Sequence, residues 1–337
     1  MGILRLCAVL ALLAMLPAPP AWAGIVEDCD QSADLDLRLG ACTAFIRSGH
    51  RSGTVLAAAY NNRGNAYIAL QDHRRAIQDY DQAIRLDPQD AKAYYNRGNA
   101  YHALMEYRRA IQDYDQAIRL DPQDAKAYYN RGNAYLALMD YWSAVEDYGE
   151  AIRLDPQDAK AYNNRGVAYR ALNDHRRAIQ DYVQAIRLDP QEAKAYIGRG
   201  KAYLALMDYW SAVEDFGQAI RLDPDDTDAY NDLARSQYLA GDAAAALANV
   251  DRALRDRPDS LSFIDTRAHV LAWLGQREAA YRLFDRIMRD GGADWVKKYQ
   301  RALKTHGRYG GAIDGAYGPG TRRALRACLD AGCRLLE

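Results

Sequence analysis

One period dominates this sequence. Five nearly identical blocks of 34 residues run head to tail (57–90, 91–124, 125–158, 159–192 and 193–226), and each closes on Arg-Leu-Asp-Pro, as at Arg85-Leu86-Asp87-Pro88. Two diverged blocks keep the phase, 227–260 and 261–294. A unit this short cannot bury an apolar face alone, whereas neighbours of the same shape cover one another. The period therefore predicts a stack of units rather than a globule with one centre. Copying also explains the aromatic bias, 25 Tyr against 4 Phe.

Each block reads as two helices. In the second block, 91–104 carries Tyr94, Gly98 and Tyr101 at i, i+4 and i+7. The stretch from Tyr107 to Leu120 carries Ala110, Tyr114, Ala117 and Ile118 at helical spacing, so both segments present one apolar stripe. Asp-Pro-Gln-Asp then stops the second helix, because the residue before proline disfavours the helical region.

These positions resemble the tetratricopeptide repeat family. In the first block its key positions are Tyr60, Gly64, Tyr67, Ala76, Tyr80, Ala83 and Pro88. The resemblance covers 57–294. It implies an all-α fold, an α-solenoid that is a right-handed superhelix of helical hairpins. In it Gly64 and Ala76 sit where the helices approach, and Tyr67 and Tyr80 fill the space between hairpins. The later blocks depart from the pattern, with Ala234 for the Gly and Gln237 for the second Tyr in the sixth, and Ile264, Ala268, Leu271 and Gly292 in the seventh. Terminal repeats are expected to be atypical. Residues 24–56, with a short helical hairpin from about 34 to 54, are expected to cap the N-terminal end.

Where the family usually has Leu before the Gly, this chain has Arg63, Arg97, Arg131, Arg165 and Arg199, matched in the second helices by Asp79, Asp113, Asp147, Asp181 and Asp215. The sixth block changes both together, to Leu233 and Asn249. An antiparallel hairpin brings these positions opposite each other, which predicts an Arg–Asp ladder. The alternative is a row of ligand-binding arginines.

The family lines its concave face with first helices, and the resemblance places a peptide-binding groove on Asn61, Asn65, Lys92, Tyr95, Asn99, Lys126, Tyr129, Asn133, Lys160, Asn163 and Lys194, with Val167, Ile197 and Lys201 beside them. Asn and Lys pair with backbone amides and carboxylates, and Tyr adds rigid contact area. Asn65, Asn96 and Lys126 match part of the terminal-carboxylate clamp of some family members. Asn61 and Asn130 stand where Lys and Arg are needed, so the clamp is incomplete. A protein or extended peptide is the expected partner; a merely solvated face is the alternative. Trp142 and Trp210, early in second helices where other blocks have Arg74, Arg108 and Arg176, mark either a partner surface or packing over the next hairpin.

The ends differ from the array. Arg5, an apolar stretch over 6–16, prolines and Ala21-Trp22-Ala23 before Gly24 have the layout of a signal peptide cleaved after Ala23. This predicts a secreted or periplasmic protein with no stable membrane insertion after cleavage. Four cysteines then remain, Cys29, Cys42, Cys328 and Cys333, and four allow three pairings. The array holds the first two and last two at opposite ends, which leaves Cys29–Cys42 and Cys328–Cys333. After 294 the period stops. A helix from Trp295 to His306 and a last one from about Thr321 to Asp330, N-capped by Thr321, flank a glycine-rich loop. Residues 295–337 resemble the peptidoglycan-binding module of exported bacterial hydrolases at Tyr309, Gly311, Ile313, Asp314, Gly315, Tyr317, Gly318, Pro319, Thr321, Ala324 and Leu325. The resemblance implies peptidoglycan as a further partner, with the repeats as scaffold or spacer. A segment that only closes the array is the alternative. Cys328 and Leu329 replace the family's aromatic residue and Gln, and Cys333 to Glu337 is a reduced third helix.

A formal net charge of −1 argues against nucleic acid, which needs a basic excess. No His-Glu-x-x-His, paired Cys-x-x-Cys, phosphate loop or Gly-x-Ser-x-Gly elbow occurs. No catalysis, cofactor or metal is expected.

Overall fold

The computed structural model describes residues 27–30, 33–48, 53–333 and 335. The expected leader, 1–23, and residues 334, 336 and 337 lie outside them. The described residues are helical or irregular with no strand among them, and they divide into two compact units, up to Pro156 and from Gln157.

In the first unit Leu35–Arg47 is N-capped by Asp34, whose carboxylate accepts from the Asp36 and Leu37 amides. The Cys29–Cys42 disulfide and Phe45 form a small core with Ala59. Three hairpins follow, Thr54–Ala69 with His73–Leu86, Ala91–Ala103 with Tyr107–Leu120, and Ala125–Ala137 with Tyr141–Leu154. The first of these begins at Thr54, three residues before the repeat frame, because Gly53 at φ +75° turns the chain there.

The second unit holds Ala159–Ala171 with His175–Leu188, Ala193–Ala205 with Tyr209–Leu222, Thr227–Leu239 with Ala243–Asp256, and Leu261–Trp273 with Arg277–Asp290. Helices Gly292–Thr305 and Pro319–Asp330 then close a core built from Ile264, Phe284, Ile287, Tyr299, Leu303, Leu325 and Leu329. Cys328 and Cys333 pair beneath it.

The last aspartate of each Asp-Pro-Gln-Asp turn does a second job. Asp90, Asp124 and Asp158 accept from the amides of Lys92, Lys126 and Lys160, capping the next helix. Inside each hairpin a glycine faces an aromatic ring. A Cβ at Gly64 would lie 2.6 Å from the Tyr80 ring, and one at Gly98 or Gly132 would lie 2.8 or 2.9 Å from Tyr114 or Tyr148. Only a bare Cα lets the ring in. The Tyr80 ring thus lies against its own hairpin as well as reaching Ala100 of the next block.

The C-terminal segment departs from expectation at Thr321. The last helix starts at Pro319 with Gly318 as N-cap, since proline favours the first helical position. Thr321 is therefore inside the first turn, buried, and its hydroxyl donates to the Ala316 carbonyl at 3.3 Å. Cys333 lies outside any helix.

Candidate functional site

The arginines before each glycine are spent internally. Arg63, Arg97, Arg131, Arg165 and Arg199 each grip the matching aspartate with Nε and Nη2 at 2.6–2.8 Å. Arg97 and Arg131 also reach Asp81 and Asp115 of the preceding block at 2.6 Å. Burial pushes the Asp113, Asp147 and Asp215 carboxyls up, and the two-pronged guanidinium contact opposes that shift. These five arginines form a ladder inside the hairpins, not a ligand row.

The groove residues of the first unit also satisfy one another. Tyr80, Tyr114 and Tyr148 donate their hydroxyls to the side-chain oxygens of Asn65, Asn99 and Asn133 at 2.7–2.8 Å. Asn96 donates to Asn61 at 3.0 Å. Asn130 donates to the Tyr95 hydroxyl and to Asn99, both at 2.9 Å. The four asparagines that bear on a terminal-carboxylate clamp (Asn61, Asn65, Asn96 and Asn130) are thus tied into the wall. Tyr129 packs its ring 5.8 Å from that of Tyr148. Lys92 and Lys126 stay exposed, in a first helical turn where the helix dipole disfavours a cation.

The second unit breaks this pattern at two positions. Val167 stands where Asn65, Asn99 and Asn133 accept a tyrosine hydroxyl, and Gly198 stands where Asn96 and Asn130 donate. The Tyr182 hydroxyl, fully buried, finds no acceptor among the described residues and has the Arg170 guanidinium acting on it; Asn163 Oδ1, Asn231 Oδ1 and Arg170 Nε also lack hydrogen-bond partners there, as His102 Nε2, at Arg170's repeat position, does in the first unit. Tyr182 leans toward Gly198, where a Cβ would lie 2.5 Å from its ring. Lys160 and Lys194 are exposed at their helix starts, and Ile197 packs into the core beneath Phe216.

Two concavities open on this same set of first helices. One, of about 810 Å³, is bounded by Arg170, Lys201, Leu204, Asp232, Arg235 and Tyr238 among others. The other, of about 460 Å³, shares Asp232 and Arg235 and adds Asn231, Asp265, Lys298 and Arg301. Asn231 is only 7% exposed, so its unpartnered oxygen is set in the wall of the second concavity. Lys201 pairs with Asp232 at 3.3 Å, and Lys298 with Asp265 at 2.8 Å. Burial pushes the Asp232 carboxyl up. At the far end Asp265 accepts from the Tyr299 hydroxyl, and fully buried His269 is held down in pKa by desolvation.

Of these residues the sequence reading reached Lys201, and it missed Arg170, Asn231, Asp232, Arg235, Lys298 and Arg301. The signal was present in the blocks themselves, since the position that is Asn at 65, 99 and 133 becomes Val167, Lys201 and Arg235, and the one that is Asn at 62, 96, 130 and 164 becomes Gly198 and Asp232.

Trp142 and Trp210 are 56% and 67% exposed. Each sits beside an exposed methionine, Met139 or Met207, held at φ near +60°. In the tail, buried Gln300 organises the glycine-rich loop. Its amide nitrogen donates to the Tyr309 hydroxyl, Asp314 Oδ1 and the Ala316 carbonyl, and its oxygen accepts from the Gly315 amide. Tyr317 donates to Asp285, and Arg322 lies over its ring. Tyr309, Asp314, Gly315, Tyr317 and Thr321 therefore hold the loop shut, while Ile313 and Pro319 face solvent. Among the described residues no group of three or more His, Cys, Asp or Glu is placed to hold a metal, and no helix is long and apolar enough to cross a membrane.

Comparison with known proteins agrees with this geometry. A family model described as TPR repeat matches residues 64–104, and one described as Tetratricopeptide repeat matches 91–124, 125–158, 159–192 and 193–226. Solved structures share the fold. YrrB, described as a TPR protein with an unusual peptide-binding site, is 24% identical, with 55% of this chain and 95% of that one covered and a TM-score of 0.50. PilW, a type IV pilus biogenesis factor, is 18% identical, with 62% and 96% covered and a TM-score of 0.55. A tetratricopeptide repeat protein from Parabacteroides merdae is 18% identical, with 68% and 91% covered and a TM-score of 0.54. No curated protein sequence matches the chain. Residues 64–226 are tandem tetratricopeptide repeats, and the chain has the all-helical fold of a tetratricopeptide solenoid.

Proposed function

We propose that the protein is an exported, non-catalytic scaffold that holds an extended segment of a partner protein against the first-helix face of its second unit. The observation that carries this reading is the contrast between the two units. In the first, the asparagines and tyrosines of that face bond to one another. In the second, Val167 and Gly198 break that network, and Arg170 Nε and Asn231 Oδ1 lack partners in the walls of two open concavities, although His102 Nε2, at the repeat position of Arg170, is also without a partner in the first unit. Buried polar groups cost free energy until something bonds to them, and a peptide backbone supplies both donors and acceptors at regular spacing.

Export rests on residues 1–23 and places the mature chain outside the cytoplasm, where disulfides such as Cys29–Cys42 persist. Attachment of the tail to peptidoglycan belongs to the same proposal, with the exposed part of its loop around Ile313 as contact.

A random peptide display library selected on the purified mature protein tests the groove. Ala205, exposed on the wall of the larger concavity, and Ala137, exposed at the equivalent place in the first unit, are each changed to Arg. Selected peptides are expected to lose binding to Ala205→Arg and keep it with Ala137→Arg. Equal behaviour of the two variants contradicts the proposal. For the tail, Ile313→Asp is expected to reduce co-sedimentation with insoluble peptidoglycan, and unchanged co-sedimentation counts against wall attachment.

A further inference from the structure

We infer that the turns joining first helices to second helices form an apolar edge, set with arginines, that docks on the surface of an anionic lipid bilayer. This goes beyond the scaffold reading and does not rest on the groove. Among the described residues, every exposed large apolar side chain except Leu37, Val55, Val183 and Ile313 lies in or beside one of these turns. The first unit carries Leu70, Met105, Leu138, Met139 and Trp142, and the second carries Leu206, Met207, Trp210, Trp273 and Leu274. The Asp-Pro-Gln-Asp turns at the other end of the hairpins carry none. Met105, Met139 and Met207 are the most telling. They are 73–75% exposed and hold φ near +60°, at the turn position that Gly241 and Gly275 fill in later blocks. A side chain there strains the backbone. Each of these methionines bears that strain while covering no core of its own chain, so its side chain serves a surface outside the chain.

Charge and placement point to lipid rather than to protein. Arg74, Arg108 and Arg176 stand exposed beside these turns with no ion pair among the described residues, while the turn acids Asp72, Glu106 and Asp174 are taken by Arg75, Arg109 and Arg177. Anionic headgroups complete such free cations, and the interfacial layer beneath them takes Trp and other large apolar side chains. The apolar tips are separate, each on its own hairpin, and a fluid interface covers all of them, whereas a protein needs a matching notch for each. A second copy is a poorer cover. Meeting through the same edge it sets arginine against arginine, and through its Asp-Pro-Gln-Asp turns it offers no exposed large apolar side chain. The contact is peripheral, since no helix among the described residues is long and apolar enough to cross a membrane.

Co-sedimentation of the full mature chain with vesicles tests this, using phosphatidylcholine alone and phosphatidylcholine mixed with an equal part of phosphatidylglycerol. The chain is expected to bind the mixed vesicles and to bind phosphatidylcholine several-fold more weakly. Affinity for the mixed vesicles should fall several-fold between about 0.05 and about 0.3 M salt. Trp142→Ser and Trp210→Ser should each lower the partition coefficient roughly tenfold, and Arg74→Gln and Arg108→Gln roughly fivefold. Met139→Gly should lower it too, and because that change relieves backbone strain its loss of binding is not a loss of fold. Val183→Ser, at an exposed apolar residue within the second helix His175–Leu188, should leave binding unchanged. Absence of binding to the mixed vesicles, equal binding to both preparations, or unchanged binding by the tryptophan and methionine variants overturns the inference. A dimer in sedimentation velocity that Trp142→Ser or Trp210→Ser dissolves, with no vesicle binding, assigns the edge to a second copy and overturns it as well.

Discussion

The repeats contain their own control experiment for the value of one buried hydroxyl. Tyr80, Tyr114, Tyr148 and Tyr182 occupy one repeat position and are all 0–1% exposed. Three donate to an asparagine at 2.7–2.8 Å, whereas the hydroxyl of the fourth faces Val167 and finds no acceptor, with only the Arg170 guanidinium, itself a donor, acting on it. Removing a satisfied neutral hydroxyl costs about 1 kcal/mol net. At Tyr114 the cost stays near that value, because Asn99 keeps its bond from Asn130. Removing an unsatisfied buried hydroxyl relieves a desolvation penalty of about 1 kcal/mol. The ring is unchanged in either case, and Phe216 shows that the position accepts it. Tyr114→Phe should therefore destabilise by about 1 kcal/mol and Tyr182→Phe should stabilise by about the same, a separation of roughly 2 kcal/mol for deletion of one identical atom. Urea unfolding of the full chain followed by circular dichroism measures this, with an unchanged m-value showing that the cooperative unit is the same. Equal loss of stability in the two variants refutes the reasoning.

Three further outcomes follow from the ladder, the turns and the buried phenols. Arg165→Leu and Asp181→Asn should each cost about 3 kcal/mol in urea unfolding by stranding a buried partner, while the double variant, which copies Leu233 and Asn249 of the sixth block, should recover most of that loss; additive losses contradict the ladder. Met139→Gly should raise stability by about 1 kcal/mol, because the φ of +60° at Met139 strains any side chain and Gly241 and Gly275 fill the same turn position elsewhere; a loss on the same assay contradicts it. Burial pushes the phenols of Tyr80, Tyr114 and Tyr182 above their usual range. They keep their protons in the fold after unfolded tyrosines lose theirs, so stability is complete below about pH 10 and falls as pH rises beyond it. The urea midpoint should drop across that window, less steeply in Tyr114→Phe, and a flat profile counts against buried phenols.

The ladder was legible because five copies act as an internal alignment. Arg63 and Asp79 recur together, and Leu233 and Asn249 replace them together. The hairpins were legible for the same reason, their apolar stripes repeating at helical spacing. What the groove asparagines do was not legible. Whether Asn99 faces a ligand or a tyrosine depends on which atoms of the next hairpin come within 3 Å, and a spacing rule does not carry that distance. The unpartnered Arg170 Nε and Asn231 Oδ1 were hidden because a missing partner is seen only once coordinates assign all the others. Thr321 misled because a threonine after glycines reads as a cap, whereas Pro319 had already set the helix start.

Hydrogen–deuterium exchange of the mature chain, with and without a saturating display-selected peptide, addresses the central claim most directly. Protection should appear in Ala193–Ala205 and Thr227–Leu239 of the second unit, with Ala91–Ala103 and Ala125–Ala137 of the first unit unchanged. Protection confined to the first unit, or to the turns that carry Trp142 and Trp210, would contradict it.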